Sequence, residues 1–226
     1  ITHAFAYNAY TLYDGVGTAN LTIDDAVQQR LENAATTGAT TTHFADALGA
    51  ELSGGNRTDL GLRRDRFNAE LEWKSLAPLL IGVHVDGEQR TGTRPFGVVF
   101  GSSPGAAGVV EIPEPIDYQT LTFGGHLEWA DKLPGLGYPA HAAVHAAVSS
   151  FKNDNLAMRY ENPLRYTDSL SGKNSGPAAG QTALAPGNEN RSVGASVGLG
   201  LPGHLHWNAS GHYSIGTQDA PFLPNT

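Results

Sequence analysis

The feature that most narrows the fold is a period-two alternation of apolar and polar residues, repeated in seven runs. No uninterrupted apolar stretch comes near the roughly 18 residues of a membrane-spanning helix. Successive side chains of a strand point to opposite faces, so each run specifies a two-faced ribbon. In the first run Phe5, Tyr7, Ala9 and Tyr13 share a face. The second sets Phe67, Ala69, Leu71 and Trp73 against Asn68, Glu70, Glu72 and Lys74, and the third sets Ile81, Val83 and Val85 against His84, Asp86 and Glu88. In the fourth, Leu121, Phe123, Leu127 and Trp129 oppose Thr120, Thr122, His126 and Glu128. The fifth carries Tyr138, Ala140, Val144 and Val148 opposite His141 and His145, and the sixth Val193, Ala195, Val197 and Leu199 opposite Ser192 and Ser196. The seventh sets Leu205, Trp207, Tyr213 and Ile215 against His204, His206 and His212.

Several runs last ten or more residues, beyond the usual five or six of a globular strand and near the roughly 9–11 that cross a bilayer at a tilt. The connections alternate in size: 14–56 long, 75–78 short, 92–116 long, 132–137 short, 153–190 long, 201–203 short. Outer-membrane barrels have this rhythm, with tight periplasmic turns at one rim and large extracellular loops at the other. All three tryptophans, Trp73, Trp129 and Trp207, fall on the apolar phase near a short connection, as does Tyr138. An interfacial aromatic belt at the periplasmic rim places amphipathic rings there, in contact with lipid headgroups. The fold expected for 1–226 is therefore all-β: an antiparallel transmembrane β-barrel segment of about seven strands, in the bacterial outer membrane.

Composition removes other classes. Charged residues are 16% of the chain and its net charge is −8, which leaves no basic surface for nucleic acid. There is no cysteine, so the chain can form neither a disulfide, a thiolate metal site nor a covalent haem attachment, and a redox role would require a partner's cofactors.

The first long connection holds a helix signal near 23–34: Thr22 and Asp25 are spaced as a capping box, and Ile23, Val27 and Leu31 recur every fourth residue. Such a helix packs on a barrel mouth or folds inward. The 153–190 connection, rich in Gly, Pro, Ser and Asn, is expected to be mobile or ordered by a partner.

Seven of the nine histidines lie on the polar phase, which in a barrel faces the lumen. With Glu88 and Glu128, the residues His84, His126, His141, His145, His206 and His212 form the expected lumen-facing or partner-facing set. Such imidazoles can ligate metal, tune a neighbouring cofactor or simply fill a polar wall. Wall filling is the plainest reading, and no resident metal or cofactor is expected. The pairs Glu70–Glu72 and Asp86–Glu88 could act as acid/base couples on paper, but no GxSxG, HExxH or phosphate-loop motif accompanies them, and no catalytic residue is assigned. The basic run Arg63, Arg64 and Arg66 reads as lining of a lumen or its rim.

Longer segments carry a resemblance. VEIPEPIDYQT (110–120), SSFKNDNLAMRYENPLR (149–165), GQTALAPGNENRSVGASVGLGLPG (180–203) and TQDAPFLPNT (217–226) resemble the decahaem-associated outer-membrane barrels of the MtrB/PioB family. DDAVQQRLENA, LGLRRDRFNAELEW and GTRPFGVVFG do likewise, in the family's order. The resemblance implies a larger barrel that sheathes a periplasmic multihaem c-type cytochrome for extracellular electron transfer, in contact with membrane lipid and in some members with a second, cell-surface multihaem cytochrome. The haem then belongs to the partner. Seven strands are too few to enclose a cytochrome, because even eight leave an interior filled by side chains, so the chain is expected to be an excerpt of a longer barrel. The main rival is a diffusion porin or substrate-uptake barrel, with the 14–56 loop as constriction. A soluble β-sandwich and an outer-membrane enzyme follow.

Overall fold

The computed structural model describes residues 2–36, 41–100, 108–163, 165–167, 174–175, 177–218 and 220. In chain order its elements are β1 (Thr2–Thr11), β2 (Tyr13–Asp14), β3 (Asn20–Ile23), α1 (Asp25–Thr36), α2 (Thr41–Gly54), β4 (Asn56–Leu76), β5 (Leu79–Phe100), β6 (Gly108–Lys132) and β7 (Pro139–Asn153). There follow β8 (Ala157–Glu161), β9 (Tyr166–Thr167), β10 (Asn174–Ser175), β11 (Ala179–Ala183), β12 (Asn188–Leu201) and β13 (Leu205–Thr217).

Seven strands make one open sheet in the order β1-β4-β5-β6-β7-β12-β13, every pair antiparallel. Three tight turns join β4 to β5, β6 to β7 and β12 to β13 at one end of the sheet, as the connection lengths predicted. Ala77–Pro78 joins β4 to β5, and the other two turn on left-handed glycines: Gly135 and Gly137 between β6 and β7 and Gly203 between β12 and β13 have φ of 79°, 69° and 75°, a region closed to most side chains. His204 shares it (φ 62°), so it belongs to the turn and does not continue the polar phase of β13.

At the other end the structure departs from expectation. The stretch 92–116, read as a loop, is largely strand: β5 and β6 stay paired from Leu79–Trp129 out to Phe100–Gly108. A turn-rich composition hid a hairpin that outruns its neighbours, with β6 at 25 residues against 15 for β7. What stabilises it is a second layer. A four-stranded sheet, β11-β8-β3-β2, is built from the two long connections, and Tyr13, Leu21, Ile23, Met158, Tyr160 and Leu184 pack with Val98, Phe100 and Ile112 of the hairpin. Leu21 and Met158 are wholly buried there. The described parts of 153–190 are thus ordered by the chain itself, and Tyr13 enters this core on the side of Ala9 and Thr11, which register opposite Thr58 and Asn56 on the polar phase of β4 rather than on the apolar face. Its hydroxyl donates to Glu161 O at 2.9 Å, and burial, with Tyr160 and Glu161 nearby, pushes its pKa well up.

Helix α1 forms close to the expected limits but with a different cap. Asp24 Oδ1 accepts from the N–H groups of Ala26 (2.9 Å) and Val27 (3.2 Å), while Thr22 and Ile23 are taken into β3, where Ile23 N–H donates to Glu161 Oε2 at 2.7 Å. Asp24→Ala is expected to cost the helix about 1 kcal/mol, seen as faster hydrogen exchange in its first turn. Helix α2, which the sequence did not announce, is tied to α1 by Arg30, whose Nε and Nη2 lie 2.5 and 2.9 Å from the Glu51 oxygens and hold that carboxyl below its usual pKa. Of TQDAPFLPNT, only 217, 218 and 220 are among the described residues.

Candidate functional site

Antiparallel register puts directly paired residues on the same side, so the pairing of the large sheet identifies its two faces row by row. On one face the rows are apolar. Leu71–Val83–Gly125–Ala146–Val193–Tyr213 is one and Trp73–Ile81–Leu127–Val144–Ala195–Gly211 the next. This face is bare: Phe67, Leu71, Trp73 and Phe123 are each more than half exposed. Trp129 and Trp207 lie on it too, and Tyr138 sits in the β6–β7 turn one residue before β7.

The borders of the apolar band are tilted. Trp73 shares a row with Gly211, yet Trp207 lies four residues (211 − 207) nearer the turns, five strands across. At the upper border Asp65 shares a row with Lys152, whereas Arg191 pairs with Val148, again four residues (152 − 148) nearer the turns, four strands across. With a rise of about 3.3 Å per residue and about 4.8 Å between strands, both borders slope at about 30–35° to the hydrogen-bond direction, close to the tilt of barrel strands. The band is equally wide on β4 and β13: 73 − 65 is 8 on β4, and 215 − 207 is 8 on β13, Ile215 being the partner of Arg191. Eight residues span about 26 Å along a strand and about 22 Å along the normal to a bilayer, near the apolar band of an outer-membrane barrel.

The opposite face carries the polar set. Glu72, His126, His145 and His212 share one row with Gly82 and Gly194, and Glu70 and His84 share the next with Gly124. Glu128 lies on this face opposite Ala143, His141 opposite Gly198 and His206 opposite Gly200. The imidazoles lie down. A Cβ at Gly82 would come within 2.1 Å of the His126 ring, at Gly124 within 2.2 Å of His84, at Gly194 within 2.2 Å of His145, and at Gly198 within 2.0 Å of His141. Each ring therefore covers a glycine of the neighbouring strand, the device by which an aromatic restores cover to a bare stretch of sheet. The rings of His145 and His212 stack at 6.0 Å. Sequence reasoning found the histidines and missed the glycines beneath them, since only register joins residues so far apart in the chain.

Nearer the long loops the same face becomes ionic. Glu88 accepts from Arg64 Nη2 at 2.6 Å, Arg66 Nε at 2.5 Å and Arg90 Nε, which makes it a structural anion and no free acid or base. The basic run is split by its own alternation: Arg63 falls on the apolar side, paired with Asp65 at 2.8 Å on the border of the band. Beyond the arginines, the Glu114 side chain is almost fully buried and its two oxygens lie 2.6 and 3.1 Å from Arg94. Phe96, Val98, Phe100 and Ile112 then continue the same phase into the core under the loop-built sheet. The loops of this chain thus fold over the polar face.

A sheet with a bare apolar face, a tilted band of bilayer width, a polar reverse side and turns short at one end and long at the other defines the wall of an outer-membrane β-barrel. The family model described as "Putative outer membrane beta-barrel porin, MtrB/PioB" matches residues 1–226. The chain belongs to the MtrB/PioB family. No curated protein matches it.

Proposed function

We propose that the polar face lines the lumen of a barrel that sheathes a multihaem c-type cytochrome, so that electrons cross the outer membrane inside an insulating wall. The observation that carries this reading is the relief of the polar face. From β7 to β13 its middle is built mostly of small or uncharged side chains, among them Ala143, Ala147, Ser192, Ser196, Asn208 and Ser210, with the His141 and His145 rings folded onto Gly198 and Gly194. A low, weakly charged wall suits close approach of a large folded occupant. The apolar face, with Trp73, Trp129, Tyr138 and Trp207 at its turn side, meets lipid, and His84, Glu88, His126, Glu128, His141, His145, His206 and His212 face the occupant. The haems are the partner's, and a cell-surface cytochrome is the second partner, met on the side of the long loops.

The porin reading has its own observation, the loop-built layer over the polar face, which could serve as a constriction. Purification from outer membranes under mild detergent separates the two. A sheath brings down haem-staining protein and shows little ion conductance while the cytochrome is retained. Open channels that never retain a cytochrome would overturn the sheath.

A further inference from the structure

We infer that Glu70, Glu72 and His126 form a binding site for a divalent first-row transition-metal ion on the polar face. Their spacing in the chain conceals it, because Glu70 and Glu72 are on β4 and His126 is on β6, with β5 between. Register puts Glu72, Gly82 and His126 in one row. Residue 82 has no side chain, and the His126 ring occupies the space a Cβ would need, so the imidazole reaches across β5 toward the two carboxylates. One ligand atom from each of the three then lies within 4.8 Å of the other two. A small inward adjustment gives the roughly 2.0–2.2 Å metal–ligand bonds of a His/carboxylate site.

The donor set indicates the ion. One imidazole with two carboxylates, and coordination positions left open, suits Zn²⁺ and its first-row neighbours; Mg²⁺ keeps its water and avoids nitrogen. Lys74 Nζ lies 2.6 Å from Glu72 Oε2, so the site already attracts a cation there, and a divalent ion competes for the same charge. His145 pairs directly with His126 in register, but its ring lies over Gly194 and stacks on His212, away from the cluster, so the ligand set is these three residues. The site depends only on this chain's register, so it stands whatever fills the lumen.

The test is a calorimetric titration of Zn²⁺ into the full-length protein in detergent after EDTA stripping, with heat-modifiable gel mobility confirming the fold of each variant. The wild type should bind a single Zn²⁺ at this site. His126→Ala and Glu70→Gln/Glu72→Gln should each weaken binding at least about tenfold, the scale on which perturbing a metal site acts. Gly82→Val should do the same without removing any ligand, because its side chain occupies the path of the imidazole. His141→Ala and His206→Ala, on the same face but away from the cluster, should leave it unchanged, as should millimolar Mg²⁺. A folded wild type that takes up no Zn²⁺, folded His126→Ala that binds it undiminished, or displacement by Mg²⁺ would overturn the assignment.

Discussion

Arginine at Val83 or Val144 is expected to hinder membrane assembly by about 2–4 kcal/mol, the cost of a cation on the lipid side of a barrel near mid-bilayer. Both valines lie in apolar rows, roughly half exposed, between the Trp73 border and the Asp65 border. The neighbouring substitutions His84→Arg and His145→Arg put the same charge on the other face and should be tolerated. Folding titrations into lipid vesicles, with heat-modifiable mobility as the readout, compare the four variants. Equal tolerance on both faces would mean that the apolar side does not meet lipid.

The second large effect concerns the layer over the polar face. Met158→Ala removes a wholly buried side chain from the core shared by β8, β3 and the β5–β6 hairpin, and should cost about 2–5 kcal/mol. That loss belongs to the loop layer. Limited proteolysis should cut the long connections faster in the variant, while the seven-stranded sheet keeps its heat-modifiable form. The rows of the large sheet near the turns make no use of Met158, so simultaneous loss of the sheet would show that layer and wall fold as one unit.

How much of this was legible in the chain depends on distance along it. The seven strands of the large sheet follow from alternation, because the period of two is a local property: Val83 and His84 must point to opposite sides whatever else the chain does. The tight turns and the helix near 23–34 were local in the same sense, although Asp24 took the cap once β3 had claimed Thr22 and Ile23. The outer half of the β5–β6 hairpin was not legible, since its glycines and prolines read as loop, whereas its ladder runs unbroken and the loop-built layer packs against Val98 and Ile112.

Taken alone, then, the residue order determined a two-faced antiparallel sheet, its strand directions and which side chains share a face, because each of these rests on neighbours two to four positions apart. Tertiary structure alone decided the register in which the strands stand side by side. That choice laid His126 over Gly82 beside Glu70 and Glu72, set three arginines on Glu88, and folded the long connections over the polar face. The physical reason is that such contacts join residues dozens of positions apart, and their geometry is set by the offset between strands, a quantity that no local pattern records.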